Sequence, residues 1–115
     1  MKNSAVAEFG SADGVLSAEY FSLGEGTDIS PLLEGLEGDL CQAPHWGYLI
    51  EGEVVVTYAD GSTETCKGGD LYYWPAGHTV RIEKDAELAM FSPQAAHGHV
   101  IEHIAAKIAA AEGEG

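Results

Sequence analysis

Basic residues are scarce in this chain. Its 115 residues hold five Lys and Arg against 19 Asp and Glu, for a formal net charge of −14. Binding to nucleic acid needs Lys and Arg to neutralise phosphates, so the composition argues against it. An anionic membrane surface repels such a chain for the same reason. Long apolar runs are also lacking, and nothing approaches the roughly 20 residues of a membrane-spanning helix. The first 14 residues, MKNSAVAEFGSADG, contain no apolar stretch of the secretory kind, and a cytoplasmic location is the expectation. Two cysteines, Cys41 and Cys66, make no disulfide framework and are expected as thiols. There is no phosphate-cradling glycine loop, no Ser-His-Asp order and no pair of cysteines two residues apart.

What is present is a series of short alternating runs divided by turn residues. Length predicts one domain with one modest core. Residues 1–14 are expected as a flexible segment with a short strand at 6–9. Residues 15–23 read as a strand that Gly24-Glu25-Gly26 breaks. Ser30-Pro31 suits the cap and first position of a short helix, which Gly35 and Gly38 confine to a turn or two. Residues 46–50 and 53–58 read as strands, with a bulge or corner at Gly52 between them. Asp60-Gly61 is a hairpin signal, since both residues tolerate positive φ. Residues 62–66, 71–74, 79–82 and 87–91 complete the strands. Ser92-Pro93 resembles a helix start, and Ile101, Ile104 and Ile108 recur at helical spacing. The pattern predicts an all-β sandwich or barrel over 15–92, with a C-terminal helix and tail over 93–115.

The stretch 41–82, CQAPHWGYLIEGEVVVTYADGSTETCKGGDLYYWPAGHTVRI, carries more. A histidine precedes Tyr48-Leu49-Ile50-Glu51-Gly52. A hairpin follows, then the Gly69-Asp70 turn and Pro75-Ala76-Gly77-His78. This order resembles the cupin family. The resemblance implies a double-stranded β-helix, or jelly-roll barrel, with a short helix before the first motif. It also implies a pocket that joins His45 to His78, a divalent metal in that pocket (zinc, nickel, copper, iron or manganese), and a homodimer paired through its sheet edges. The family's motifs supply three histidines and a glutamate. Aligned on those motifs, His45 falls at the glutamate, Cys41 at the second histidine, Asp39 at the first, and Val80 at the last, with His78 two residues earlier. The usual iron or manganese set is therefore incomplete.

Cys41, His45 and His78 are the expected metal ligands. Two imidazoles and a thiolate are borderline-soft donors suited to zinc, nickel or copper, and three ligands leave an open position. Cys41 and His45 would stand about 13 Å apart on a regular strand, so contact between them needs an irregularity, which Pro44 favours. Trp46, Tyr48 and Tyr73 are expected to line the pocket and stack on a flat organic ligand. Asp39 and the three helix histidines, His97, His99 and His103, are read as solvated. Whether the pocket is catalytic stays open at this level. A metal-free module that binds or senses a small molecule and a non-catalytic accessory dimer are the alternatives.

Overall fold

The computed structural model describes residues 6–12 and 16–114. Six strands and two helices follow in the order β1 (Val6–Ala12), β2 (Leu16–Leu23), α1 (Ser30–Leu33), β3 (His45–Tyr58), β4 (Thr63–Lys67), β5 (Leu71–Trp74), β6 (His78–Pro93) and α2 (Gln94–Glu114). A 3-10 turn, Glu37–Asp39, lies between α1 and β3. The short strand expected at 6–9 runs on to Ala12 and pairs with β2. The flexible segment expected over 1–14 falls, for residues 1–5, 13 and 14, outside the described residues.

Every strand pairing is antiparallel. The order across the sheet is β1-β2-β6-β3-β4, with β5 also on β3. β3 and β6 are long and pair along their whole lengths, from Trp46 with Phe91 to Tyr58 with His78. Each unites two expected strands, because the chain bends without breaking its ladder. β5 pairs with the start of β3 and β4 with its end.

The bend in β3 has a definite cause. His45 and Leu49 face inward, whereas farther along Val54 and Val56 do. Odd positions give way to even ones, so one extra residue must be absorbed between them. The register with β6 shifts three times between Leu49 and Val54. Gly52 sits in that stretch with φ +98°, and a Cβ there would meet the Asp85 carbonyl oxygen at 2.3 Å. Both the backbone angle and the space demand glycine.

The interior packs Leu49, Val54, Val56, Tyr72, Trp74, Val80, Ile82, Ala86, Leu88 and Met90 into one apolar cluster. A second cluster, Leu33, Cys41, Ala43 and Val100 with Ile104 against it, joins α1 to α2. α2 is fastened to the end of α1 by His103, whose Nε2 donates to the Glu34 carbonyl at 2.7 Å. The helix begins at Gln94, because Ser92 and Pro93 finish β6. Among the described residues no helix is long and apolar enough to cross a membrane.

The bulge yields a stability test. Gly61 also has positive φ, but nothing lies within 4 Å of its would-be Cβ. Gly52→Ala is expected to cost roughly 2–5 kcal/mol from strain and overlap together, and Gly61→Ala about 1 kcal/mol. Urea unfolding of the two variants checks this, and equal losses would remove the bulge from its role.

Candidate metal centre

Cys41 and His78 are brought side by side by their backbones. Cys41 N–H donates to the His78 carbonyl at 2.8 Å, and His78 N–H to the Cys41 carbonyl at 3.2 Å. Residues 42–44 then turn the chain into β3, whose first residue is His45. The irregularity expected at Pro44 is real, and it lets Cys41 Sγ approach His45 Nε2 to 3.4 Å. One donor atom from each of Cys41, His45 and His78 lies within 4.8 Å of the other two. All three side chains are buried, at 2%, 3% and 1% exposure.

The imidazoles are held from behind. His78 Nδ1 lies 2.7 Å from the Pro75 carbonyl oxygen, which can only accept, so that nitrogen carries the proton. His45 Nδ1 lies 2.6 Å from Ser92 Oγ. Both rings therefore turn Nδ1 to an oxygen and leave Nε2 over. Trp74 closes one side, with its ring centroid 6.3 Å from His45 and 5.9 Å from His78.

Burial governs the charge states. It pushes the His45 imidazole down to about 2, with the neighbouring His97 and His78 adding to the effect. It also lowers His78, against the opposing pull of the Pro75 carbonyl. The Cys41 thiol is pushed up to about 11, again mainly by burial. Without an ion the cluster holds a thiol and neutral imidazoles. A buried thiol of this kind is no ready nucleophile.

Other expected residues lie elsewhere. Trp46, Tyr48 and Tyr73 do not face the cluster. Successive strand residues point to opposite faces, so with His45, Tyr72 and Trp74 inward these three must point outward, at 44%, 42% and 51% exposure. Trp46 and Tyr73 stack on each other there, centroids 5.2 Å apart. Asp39 lies in the 3-10 turn, exposed, where its carboxylate accepts from the Gly35 amide at 3.0 Å. His99 is exposed, as expected, and borders a surface depression of about 480 Å³ with Leu36, Gln42 and Val100.

The reading of His97 as solvated is overturned. It is 4% exposed, its Nδ1 is 2.6 Å from Glu19 Oε2, and its ring centroid is 4.4 Å from that of His45. Glu19 is buried as well, at 6%. A signal existed for both. His97, Val100 and Ile104 are spaced i, i+3 and i+7, which is one helix face. Ser17 and Glu19 share one strand parity, opposite to Leu16 and Ala18.

The buried bases set a pH range for the metal-free protein. Unfolded imidazoles bind protons near pH 6.5, which folded His45 refuses until about pH 2. Stability is therefore complete above pH 6.5 and falls below it, by about 1.4 kcal/mol per pH unit for each such group. For Cys41 the unfolded thiol ionises near 9 and the folded one near 11, so stability falls again as pH rises from 9 to 11. Thermal unfolding across pH is expected to show a plateau from about 6.5 to 9, with a shallower acid limb in His45→Gln. An identical acid limb in that variant would contradict neutral burial of His45.

No protein-family model and no curated protein matches the chain. Solved structures do. A cupin superfamily protein from Desulfitobacterium hafniense DCB-2 superposes at TM-score 0.63 and 16% identity, over 81% of this chain and 80% of that one. A conserved protein of unknown function from Streptococcus pyogenes gives 0.61 and 16%, over 81% and 76%. An rmlc-like cupin family protein with a double-stranded β-helix fold from Methanocaldococcus jannaschii gives 0.58 and 17%, over 78% and 80%. At these identities the likeness bears on the fold and not on the site. The antiparallel sheet, its single C-terminal helix and these neighbours together make the chain a small domain with the cupin fold.

Proposed function

We propose that Cys41, His45 and His78 hold one divalent ion of the zinc, nickel or copper class, with the fourth coordination position not supplied by these three residues. One observation carries this reading. Both imidazoles are tied at Nδ1 to an oxygen and leave Nε2 free beside a thiol, which is how metal-ligating histidines are commonly supported. One pair already has the spacing. Zinc bonds of about 2.3 Å to sulfur and 2.0–2.1 Å to nitrogen put tetrahedral sulfur and nitrogen donors roughly 3.3–3.6 Å apart, and Cys41 Sγ and His45 Nε2 are 3.4 Å apart; the three donors as a set lie within 4.8 Å and would close around an ion. The thiol also ranks the softer ions above iron and manganese. When bound, such an ion supplies Lewis acidity at its open position. With every cluster residue at 3% exposure or less, a bare ion fits the direct occupant better than an organic molecule does. The metal-free ligand-binding module is thus the second reading.

Metal content by plasma mass spectrometry, on tag-free protein incubated with each ion and desalted, tests this directly. Near one ion per chain is expected for the wild type and for His103→Ala. A loss of most of it is expected in Cys41→Ser, His45→Ala and His78→Ala. Retained stoichiometry in all three cluster variants would sink the assignment. If the wild type takes up no ion, a rise in melting temperature with small organic ligands would favour the second reading.

A second copy of the chain is the proposed partner. Seven large apolar side chains, Leu16, Trp46, Tyr48, Ile50, Leu71, Tyr73 and Phe91, are 42% to 83% exposed on the outer face of β2, β6, β3 and β5. The register puts Ala18, Phe91, Trp46 and Tyr73 in one cross-strand row and Tyr20, Ala89, Tyr48 and Leu71 in the next. Across β2, β6, β3 and β5 neither row carries a charge; Glu8 of β1 follows Tyr20 at the far end of the second, in a chain with 24 charged side chains by the sum of its 19 acids and five bases. The exposed area is on the order of 600 Å², from side chains of about 150–250 Å² each left half open. That is at the top of the range monomers tolerate and approaches the 800 Å² or so each partner gives a standard interface. Light scattering is expected to give twice the 12.1 kDa chain mass, and half that value for Trp46→Glu and Tyr73→Glu. A monomeric wild type at micromolar concentration and 0.5 M salt, where charge repulsion is screened, would remove the proposal.

A further inference from the structure

Glu19, on β2, is a carboxylate turned into the interior, with its side chain 1% exposed. Its two oxygens gather three contacts. Ser92 Oγ donates to Oε1 at 3.1 Å, Ser17 Oγ shares its one proton between Oε1 at 3.1 Å and the Ser92 carbonyl at 3.3 Å, and His97 Nδ1 lies 2.6 Å from Oε2. None of these three belongs to the Cys41, His45 and His78 cluster, yet two of them lead to it. Ser92 Oγ is 2.6 Å from His45 Nδ1, and the His97 ring packs edge-on against that of His45 at 4.4 Å between centroids.

The direction of these bonds matters. A serine hydroxyl has one proton, and toward a carboxylate it can only donate, as Ser92 Oγ does to Glu19 Oε1. With its proton so placed, Ser92 Oγ accepts from His45, which puts the His45 proton on Nδ1 and the lone pair on Nε2, beside Cys41. Without Glu19 the Ser92 proton is free to point at His45 instead. That would favour the opposite tautomer, with a proton on Nε2 where a metal ion needs a lone pair. Packing alone does not call for a carboxylate here, because an apolar side chain of similar volume avoids the cost of desolvating one.

We propose that Glu19 is the positioning residue of this centre. Through Ser92 it holds His45 in its ligating tautomer, and through His97 it holds the first turn of α2 against the same imidazole. The purpose of the arrangement rests on the metal-ion reading above. The tautomer itself does not, and can be measured without any ion.

The experiment joins imidazole nitrogen NMR on metal-free protein to cobalt(II) titration read from visible absorption. Wild-type His45 is expected as the Nδ1–H tautomer. Glu19→Gln offers one accepting oxygen where two are used, and Ser92→Ala removes the acceptor of His45. In both, the Nε2–H form is expected to gain population and cobalt affinity to fall 10- to 100-fold, while His103→Ala alters neither. A wild-type His45 protonated at Nε2, or a tautomer unmoved in both variants, overturns the proposal whatever cobalt does. Should Glu19→Gln fail to fold, Ser92→Ala and the wild-type tautomer still decide. A wild type that takes up no cobalt but whose tautomer responds as expected overturns the metal reading and leaves Glu19's hold on His45 standing.

Discussion

Strand side chains alternate between two faces, and β3 obeys that rule on both sides of Gly52 with the phase reversed. Before the bulge the inward residues are His45, Gly47 and Leu49; after it they are Val54 and Val56. The same chain thereby builds a polar cluster at one end of the interior and an aliphatic core at the other. The phase also decides the outer face. Once His45 turns in, Trp46, Tyr48 and Ile50 have to turn out, and β5 matches them with Leu71 and Tyr73 opposite. The buried cluster and the exposed aromatic face are two consequences of one register.

The polar end of the interior is costly by design of its own sequence. Ser17, Glu19, His45, His78, Ser92 and His97 are all buried, and each must find partners or forfeit the free energy of its lost hydration. His78 finds its partner in the Pro75 carbonyl, and the others meet one another. The network crosses four elements, with Glu19 from β2, His45 from β3, Ser92 from β6 and His97 from α2. Contacts between residues 73 and 47 positions apart in sequence, Glu19 with Ser92 and Ser92 with His45, close the fold as well as the site. Stability and site geometry are therefore tied at the same atoms.

Much of this was legible from the chain. The turn signals and the alternating runs of residues 46–58 gave the antiparallel class, and the segment from Cys41 to His78 gave the convergence of the three donors. Pro44 correctly marked the irregular backbone that lets Cys41 reach His45. What escaped was inward and outward assignment. In β2, Leu16 and Ala18 look like a core face because they are apolar, yet they join the exposed face while Ser17 and Glu19 turn inside. Hydrophobicity marks the core only when the opposite face meets water, and here that face is apolar too. Ser92 misled for a related reason. Its hydroxyl resembles a helix cap before Pro93, but it is spent on Glu19 and His45. Glu19 and His97 stand 78 positions apart, 97 less 19, and no local rule pairs residues at that distance.

The charge states within the cluster bear on how an ion would be held. Burial keeps His45 and His78 neutral at neutral pH, so neither imidazole gives up a net proton on taking an ion. Cys41 is the exception, a thiol protonated up to about pH 11. Loading the site therefore costs one proton, and that proton comes from sulfur. Ion binding that releases one proton gains about tenfold in affinity per pH unit, over a range where the imidazoles contribute nothing to the slope. Replacing the thiol by a serine hydroxyl, far harder to ionise, would remove most of the affinity while leaving both imidazoles in place. The departure from an all-imidazole and carboxylate donor set is then no simple loss of a ligand. It would move the pH control of an ion held there from histidine to Cys41, whose protonation is set by its burial between Ala43, Leu33 and Val100.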